Sequence, residues 1–177
     1  RRQRQMCIRD RSNMAVPILY NLFNGQPGVL AERVFAPWVD MEAAIRKDGI
    51  PLFSLESKHP LRDFDVIGFS LGYELTYTNV LNMLDLAHIP VRTTDRDDSH
   101  PLVIAGGSCC LNPEPMSAFV DAFVIGDGEE AALELLDVIR RWKSYSRKKA
   151  ELWPRLAVIP GVYVPCLLYT SPSPRDL

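Results

Sequence analysis

Three short apolar runs, each ending in Gly or Ser, constrain the fold more than any other feature. They are Asp65 to Leu71 (D-V-I-G-F-S-L), Leu102 to Ala105 (L-V-I-A, then Gly106-Gly107) and Asp121 to Ile125 (D-A-F-V-I, then Gly126-Asp127-Gly128). Continuous apolar runs of this length read as strands buried on both faces of a parallel sheet. Amphipathic stretches alternate with them. Thr76 to Ala87 predicts a helix with Val80, Leu81, Leu84 and Ala87 on one stripe. Glu129 to Trp142 predicts another, with Ala132, Leu135, Leu136 and Ile139 inward. Alternating strands and helices imply right-handed crossovers and helices on both faces of the sheet. The predicted class is therefore α/β, with a mainly parallel sheet.

The flanking pattern is weaker. Ala15 to Phe23 is apolar enough for a buried helix, stopped by Asn24-Gly25. Ala31 to Phe35 is a short strand candidate, and Pro51 to Leu55 is a second extended piece. Asp40 to Lys47 reads as an amphipathic helix with Met41, Ala44 and Ile45 on one face and Gly49 just beyond. Ser144 to Lys149 is polar and linker-like, and Trp153 to Val164 is apolar enough to pair at a sheet edge. There is no internal repeat.

Both ends depart from this pattern. Arg1 to Arg11 (R-R-Q-R-Q-M-C-I-R-D-R) and Cys166 to Asp176 (C-L-L-Y-T-S-P-S-P-R-D) match no element. They resemble translated sequencing-library adaptors. The DNA string ATG TGT ATA AGA GAC AG encodes M-C-I-R-D followed by Arg or Ser. Its opposite strand, read in another frame as TGT CTC TTA TAC ACA TCT, encodes C-L-L-Y-T-S. Residues 1–11 and 166–177 are accordingly read as adaptor-derived artefacts, against the competing reading of a basic N-terminal arm. Residues 12–165 are read as one domain, an internal fragment of a longer protein.

Composition narrows the function. With 47% apolar and 24% charged residues and a net charge of -2, the chain is globular rather than disordered. No apolar run is long enough for a membrane-spanning helix. Setting the two ends aside leaves 14 basic and 20 acidic residues. That balance gives no reason to expect nucleic acid or an anionic membrane as partner. Cys109 and Cys110 are then the remaining cysteines. A vicinal pair without a signal peptide predicts a reduced, cytoplasmic protein.

In open α/β sheets ligands bind outside the carboxyl ends of the strands. That singles out Ser70 to Tyr73, Gly106 to Cys110 and Gly126 to Glu129. Gly106-Gly107 lets backbone approach a ligand closely, or simply makes a turn. Gly126-Asp127-Gly128-Glu129 is more specific, because it ends a strand and opens a helix whose free N–H groups can bind polar groups. Glu129 and Glu130 can equally complement the helix dipole. Neither G-x-G-x-x-G nor Walker spacing is present, so a nucleotide-phosphate cradle has little support. Residues 12–165 contain no C-x-x-C or C-x-x-x-C-x-x-C, so no zinc or iron-sulfur site can be built from local cysteines. Cys109 and Cys110 read better as small residues in a tight loop than as reactive thiols. His88 reads as a helix-end residue, while His59 and His100 precede prolines in loops. Tyr73 and Glu74 can contact a ligand or cap the following helix. No catalytic and no metal-binding residue is assigned.

Read together, D-V-I-G-F-S-L, P-L-V-I-A-G-G, N-P-E-P (Asn112 to Pro115) and D-A-F-V-I-G-D-G-E-E resemble the N-terminal cobalamin-binding-type domain of radical S-adenosylmethionine (SAM) proteins. The similarity extends to a subfamily of uncharacterised bacterial proteins carrying A-E-R-V-F-A-P-W-V-D-M-E, as Ala31 to Glu42 do here. The resemblance implies a flavodoxin-like (Rossmann-like) three-layer domain whose first strand, ahead of Ser12, is missing. It implies that the parent is a radical SAM enzyme. In the same parent chain, a barrel absent from this sequence would hold an iron-sulfur cluster and S-adenosylmethionine. A cobalamin corrin would lie over Ser70, Gly106, Gly107, Gly126, Asp127, Gly128 and Glu129. One departure stands out. Asp85-Leu86-Ala87-His88 lacks the D-x-H-x-x-G spacing of an axial histidine. The competing function is a non-catalytic flavodoxin-like scaffold that binds no cobalamin, which bulky filling by Tyr73, Leu111 or Phe119 would favour. A free-standing flavodoxin-like or receiver domain is a third reading.

Overall fold

A computed structural model describes residues 14–169. Its sheet has four strands in the order β1 (Val66–Ser70), β2 (Leu102–Gly106), β3 (Ala122–Val124) and β4 (Val162–Tyr163). β1, β2 and β3 run parallel, with Ser70 beside Gly106 and Gly106 beside Val124. β4 pairs antiparallel with β3, Phe123 facing Tyr163. The helices are α1 (Ala15–Asn24), α2 (Val39–Asp48), α3 (Tyr77–Leu86), α4 (Gly128–Tyr145), α5 (Lys149–Leu156) and α6 (Pro165–Tyr169). This is the α/β, flavodoxin-like three-layer class expected from the strand runs.

Alternation along β2 divides the core. Val103 and Ala105 face one layer with Ile67, Phe123, and Val80, Met83 and Leu84 of α3. Leu102 and Ile104 face the other with Leu135, Ile139 and Trp142 of α4 and Leu152 and Leu156 of α5. Each such aliphatic side chain, fully buried, contributes about 1.5–3 kcal/mol. A strand covered on both faces has no polar side to show, hence its unbroken apolar sequence.

Several expectations need correction. Ala15–Asn24 is a helix, but none of its residues is buried. Asn24 stops it, its side chain donating to the Tyr20 and Ala31 carbonyls and accepting from the Ala31 N–H. Ala31 to Phe35 forms no strand. The Arg33 N–H is taken by the Glu56 carboxylate at 2.8 Å, and the Arg33 carbonyl accepts from Leu55. Pro51 to Leu55 contributes only an isolated bridge between Phe53 and Pro60. On α2 only Ile45 is buried, and Met41 and Ala44 are exposed. Leu136 of α4 is half-buried rather than fully inward. Ser144 to Lys149 is not one linker: α4 runs to Tyr145, and Lys149 opens α5 and is buried. Trp153 likewise lies in α5, and edge pairing is confined to Val162 and Tyr163.

Residues 1–11 lie outside the described residues, as do 170–177. Of the remaining C-terminal stretch, Leu167 is half-buried against the second core. No helix among the described residues is long and apolar enough to cross a membrane.

Candidate functional site at the carboxyl ends of the strands

The parallel register brings Ser70 and Gly106 level at the carboxyl edge, with Gly126 two residues beyond β3. Two loops lock this edge. Leu71 N–H donates to Gly106 O at 2.7 Å, Cys109 N–H to Leu71 O at 3.1 Å, and Ser108 Oγ to Gly72 O at 2.9 Å. Gly107 sits between them at φ 113°. A Cβ there would lie 2.6 Å from the Leu71 carbonyl oxygen. Gly107 thus has a reason to be glycine that is internal to the fold, whatever lies above it.

The third loop differs. Gly126 has φ 95°, and a Cβ at Gly126 or at Gly128 would meet nothing within 4 Å. Asp127 is the residue before the first turn of α4, and its side chain makes no capping bond. Gly128, Glu129 and Glu130 form that turn. No side chain caps its N–H groups, and with the carboxylates of Asp127, Glu129 and Glu130 beside them the setting suits a neutral polar group better than an anion. Ser70, Gly106, Gly107, Gly126, Asp127, Gly128 and Glu129 thus sit on one edge of the fold.

Of the three bulky candidates, Tyr73 and Leu111 belong to the loops of this edge and are exposed, and Phe119 does not lie at it. Tyr73 is 57% exposed and Leu111 75% exposed. Phe119 lies at the other end of the sheet: Arg96, which bonds Asp121 at the start of β3, also donates to its carbonyl. Thr76 Oγ1 donates to the Tyr73 carbonyl, so it is Thr76 that ties this loop to α3.

The two cysteines are free thiols in a short 3-10 turn, Ser108–Leu111. Cys110 is fully buried, and burial, followed by the neighbouring Cys109, pushes its pKa up to about 11. At neutral pH it is a packing residue, since the thiolate is the reactive form. Burial also raises the pKa of Tyr77, with Cys109 beside it adding to the shift.

The histidines are elsewhere. His88 ends α3, whose course returns the chain to the amino end of the sheet. Its neighbours Pro90 and Val91 accept from Arg96, the partner of Asp121. His88 adopts φ 56°, its N–H bonding Asp85 O while Ile89 N–H bonds Leu84 O. Those two bonds make a Schellman stop, a place usually taken by Gly. His59 and His100 precede β1 and β2 and bond Ser57 and Asp97. A shallow cleft of about 260 Å³ between the ends of α2 and α3 is lined by Ile45, Arg46, Asp85 and His88. It too is remote from the carboxyl edge.

The amino end carries a buried ionic cluster that the sequence did not announce. Arg96 and Asp121 pair at 3.1 Å with side chains 1% and 5% exposed. The other Asp121 oxygen accepts from Val103 N–H at 2.8 Å. Lys149 lies beside them, reaching the Pro101 carbonyl at 3.4 Å, and burial lowers its pKa. Arg96 Nε has no partner among the described residues. The cluster ties α5 and the loop before β2 to the sheet.

The N-P-E-P segment also has a structural part. Tyr163 of β4 donates its hydroxyl to Glu114 at 2.6 Å and stacks on Phe123 of β3.

A mainly parallel sheet with helices on both sides defines a Rossmann-like α/β domain. A family model described as the N-terminal part of radical SAM proteins matches residues 15–165, and the chain belongs to that family. It is also 27% identical over 128 residues to an uncharacterized protein of Methanocaldococcus jannaschii, a stretch covering 71% of this chain and 26% of that protein. The chain thus spans about a quarter of the length of this curated relative. No solved structure matches it.

Proposed function

We propose that residues 12–165 form the N-terminal, cobalamin-binding-type domain of a cytoplasmic radical SAM enzyme, with residues 1–11 and 166–177 derived from adaptors. The domain offers its carboxyl edge to a corrin, over Ser70, Gly106, Gly107, Gly126, Asp127, Gly128 and Glu129. The observation that carries this reading is the open surface over Gly126 and Gly128, where added side-chain atoms meet nothing within 4 Å, in a member of this family. A corrin is broad and flat, and the free space over Gly126 and Gly128 gives it room on that side of the edge. The open N–H groups at the start of α4 suit its polar periphery. With all three histidines at the amino end, the corrin would be held without a protein imidazole below the cobalt. The bound group would supply carbon–cobalt chemistry. This chain's own residues bind and orient it. The iron-sulfur cluster and S-adenosylmethionine belong to a barrel elsewhere in the parent polypeptide.

The test is absorbance titration of the full-length protein with hydroxocobalamin. Gly128→Trp should abolish binding without loss of thermal stability, since Gly128 has ordinary φ and free space around it. His88→Ala should leave binding unchanged. Absence of binding by the wild type would overturn the reading.

A second reading is a scaffold that docks the rest of the parent without a corrin. The exposed apolar rim of Tyr73, Leu75 and Leu111, the last two 80% and 75% exposed, favours it. In that case Leu111→Asp weakens domain association while hydroxocobalamin leaves the spectrum of the protein unchanged.

A further inference from the structure

We infer that the end of α4 and the turn into α5 form a docking surface for single-stranded nucleic acid, separate from the carboxyl edge. Three observations carry it.

The first is segregation of charge. Residues 12–165 are acidic in total, yet seven of their 14 basic residues lie within residues 140–155, beside a single acid, Glu151. The total hides a cationic segment, R-R-W-K-S-Y-S-R-K-K (Arg140 to Lys149). The fold uses two of the seven: Lys143 pairs with Asp65, and Lys149 is buried. The other five, Arg140, Arg141, Arg147, Lys148 and Arg155, are exposed. None of them is in an ion pair among the described residues, although Asp137 and Glu151 each stand one helical turn before an arginine. One or two cations in the last turn answer a helix dipole. Arg147 and Lys148 lie beyond that helix and Arg155 on another, so the dipole does not account for them.

The second is the fixed backbone of the turn. Buried Trp142 donates its indole N–H to the Lys148 carbonyl at 3.0 Å and accepts from Ser146 N–H. Ser146 Oγ in turn accepts from Lys148 N–H. Arg147 and Lys148 are therefore presented from an ordered turn, which lowers the entropy cost of binding. The third is an aromatic ring among the cations. Tyr145 is exposed and lies one turn beyond Arg141 on the same helix face. Arg155 stands over its ring at 4.9 Å. Cations that meet phosphates, around a ring on which a base can stack, are the elements of single-strand binding.

The alternatives fit less well. Membrane insertion needs an apolar helix face at the surface. Here those faces are spent inside, with Leu135, Ile139 and Trp142 of α4 and Leu152 and Leu156 of α5 in the second core. A duplex keeps its bases stacked on one another and offers Tyr145 none. α4 begins at the carboxyl edge and ends at the opposite end of the sheet, so the inference does not depend on the corrin.

The test is fluorescence anisotropy of the full-length protein with labelled oligouridylate and oligothymidylate, with a labelled duplex and phosphatidylserine vesicles alongside. Five phosphate contacts predict that log K falls against log salt with a slope of about −3.5. Arg141→Gln and Lys148→Gln should each flatten that slope by about 0.7. Tyr145→Ala should weaken binding on the order of 10-fold without changing the slope, and Tyr145→Phe should retain it. These side chains are exposed, so the variants should melt with the wild type, which separates lost binding from lost fold. Affinity for either oligonucleotide supports the proposal, and the tighter of the two shows which sugar is preferred. No binding to either, binding unchanged in a triple Arg141→Gln, Lys148→Gln, Arg155→Gln protein, or tighter binding to the duplex or the vesicles would overturn it.

Discussion

Replacing Gly107 by alanine separates what the carboxyl edge needs for folding from what it offers a ligand. Gly107 has φ 113° and ψ 177°, a region open essentially to glycine alone. Forcing alanine into it costs about 1–3 kcal/mol. The new Cβ would also stand 2.6 Å from Leu71 O and 3.0 Å from Leu71 C, both backbone atoms. Leu71 cannot retreat without lengthening two hydrogen bonds, Leu71 N–H to Gly106 O and Cys109 N–H to Leu71 O. Each contributes about 1 kcal/mol. The expected loss is about 3–5 kcal/mol, a large part of the 5–15 kcal/mol typical of a whole domain. Gly128→Ala is the control: it has free space, ordinary φ and a helical position, so stability should be unchanged or higher by at most about 1 kcal/mol. Urea unfolding followed by circular dichroism measures both. A Gly107→Ala protein within about 1 kcal/mol of wild type would refute the argument that backbone approach, rather than a ligand, fixes this glycine.

Other outcomes follow from the amino end and the helix stops. Arg96→Ala leaves Asp121 buried without its ion partner and should cost about 3–5 kcal/mol in urea unfolding, whereas Lys149→Met should lie within about 1 kcal/mol of wild type or above it. Because burial lowers the Lys149 pKa, the unfolded chain binds more protons in the alkaline range between its folded and unfolded values. Stability contributed by this residue therefore rises with pH across that range, and Lys149→Met should remove that slope from a pH series of melts. His88→Gly relieves a left-handed non-glycine residue and should raise stability by about 0.5–1 kcal/mol, read as a higher urea midpoint. Cys110 should resist iodoacetamide at neutral pH in the folded protein and react only on unfolding, which peptide mass mapping would show.

β2 and β3 were legible because a strand covered on both faces must be apolar throughout, whereas β1, equally apolar in sequence, lies at the sheet edge with only Ile67 buried and is not the doubly covered strand expected. The candidate edge was legible for a related reason: the strands end in small residues where the chain must turn. Ala31 to Phe35 was misread because its backbone groups are taken by the Asn24 and Glu56 side chains and by Leu55, partners that its own residues do not reveal. For α1, an apolar sequence showed that burial is favourable, yet none of its residues is buried. Lys149 was misread because its local sequence is polar. Its environment is set by Pro101 and by Asp121, residues far away in the chain. Asp121 looked like the polar start of a strand. Its role depends on Arg96 folding back through the loop before β2. Gly107 was recognised as a special position, but not why, because the answer is the path of Leu71.

The reversed direction of β4 fixes a route for the polypeptide. The parallel strands all deliver the chain to the carboxyl edge, but β4, antiparallel to β3, carries it back the other way. Val164 and α6 therefore depart from the end of the sheet opposite Gly126 and Gly128. The five residues of β1 give the sheet a height of about 17 Å at roughly 3.3 Å per residue. Any domain joined downstream and meant to face the glycine-lined edge must first be led back over that height, by a tether of at least about five extended residues. Such a tether makes the approach of the two bodies a matter of its length and stiffness as well as of the surfaces that meet.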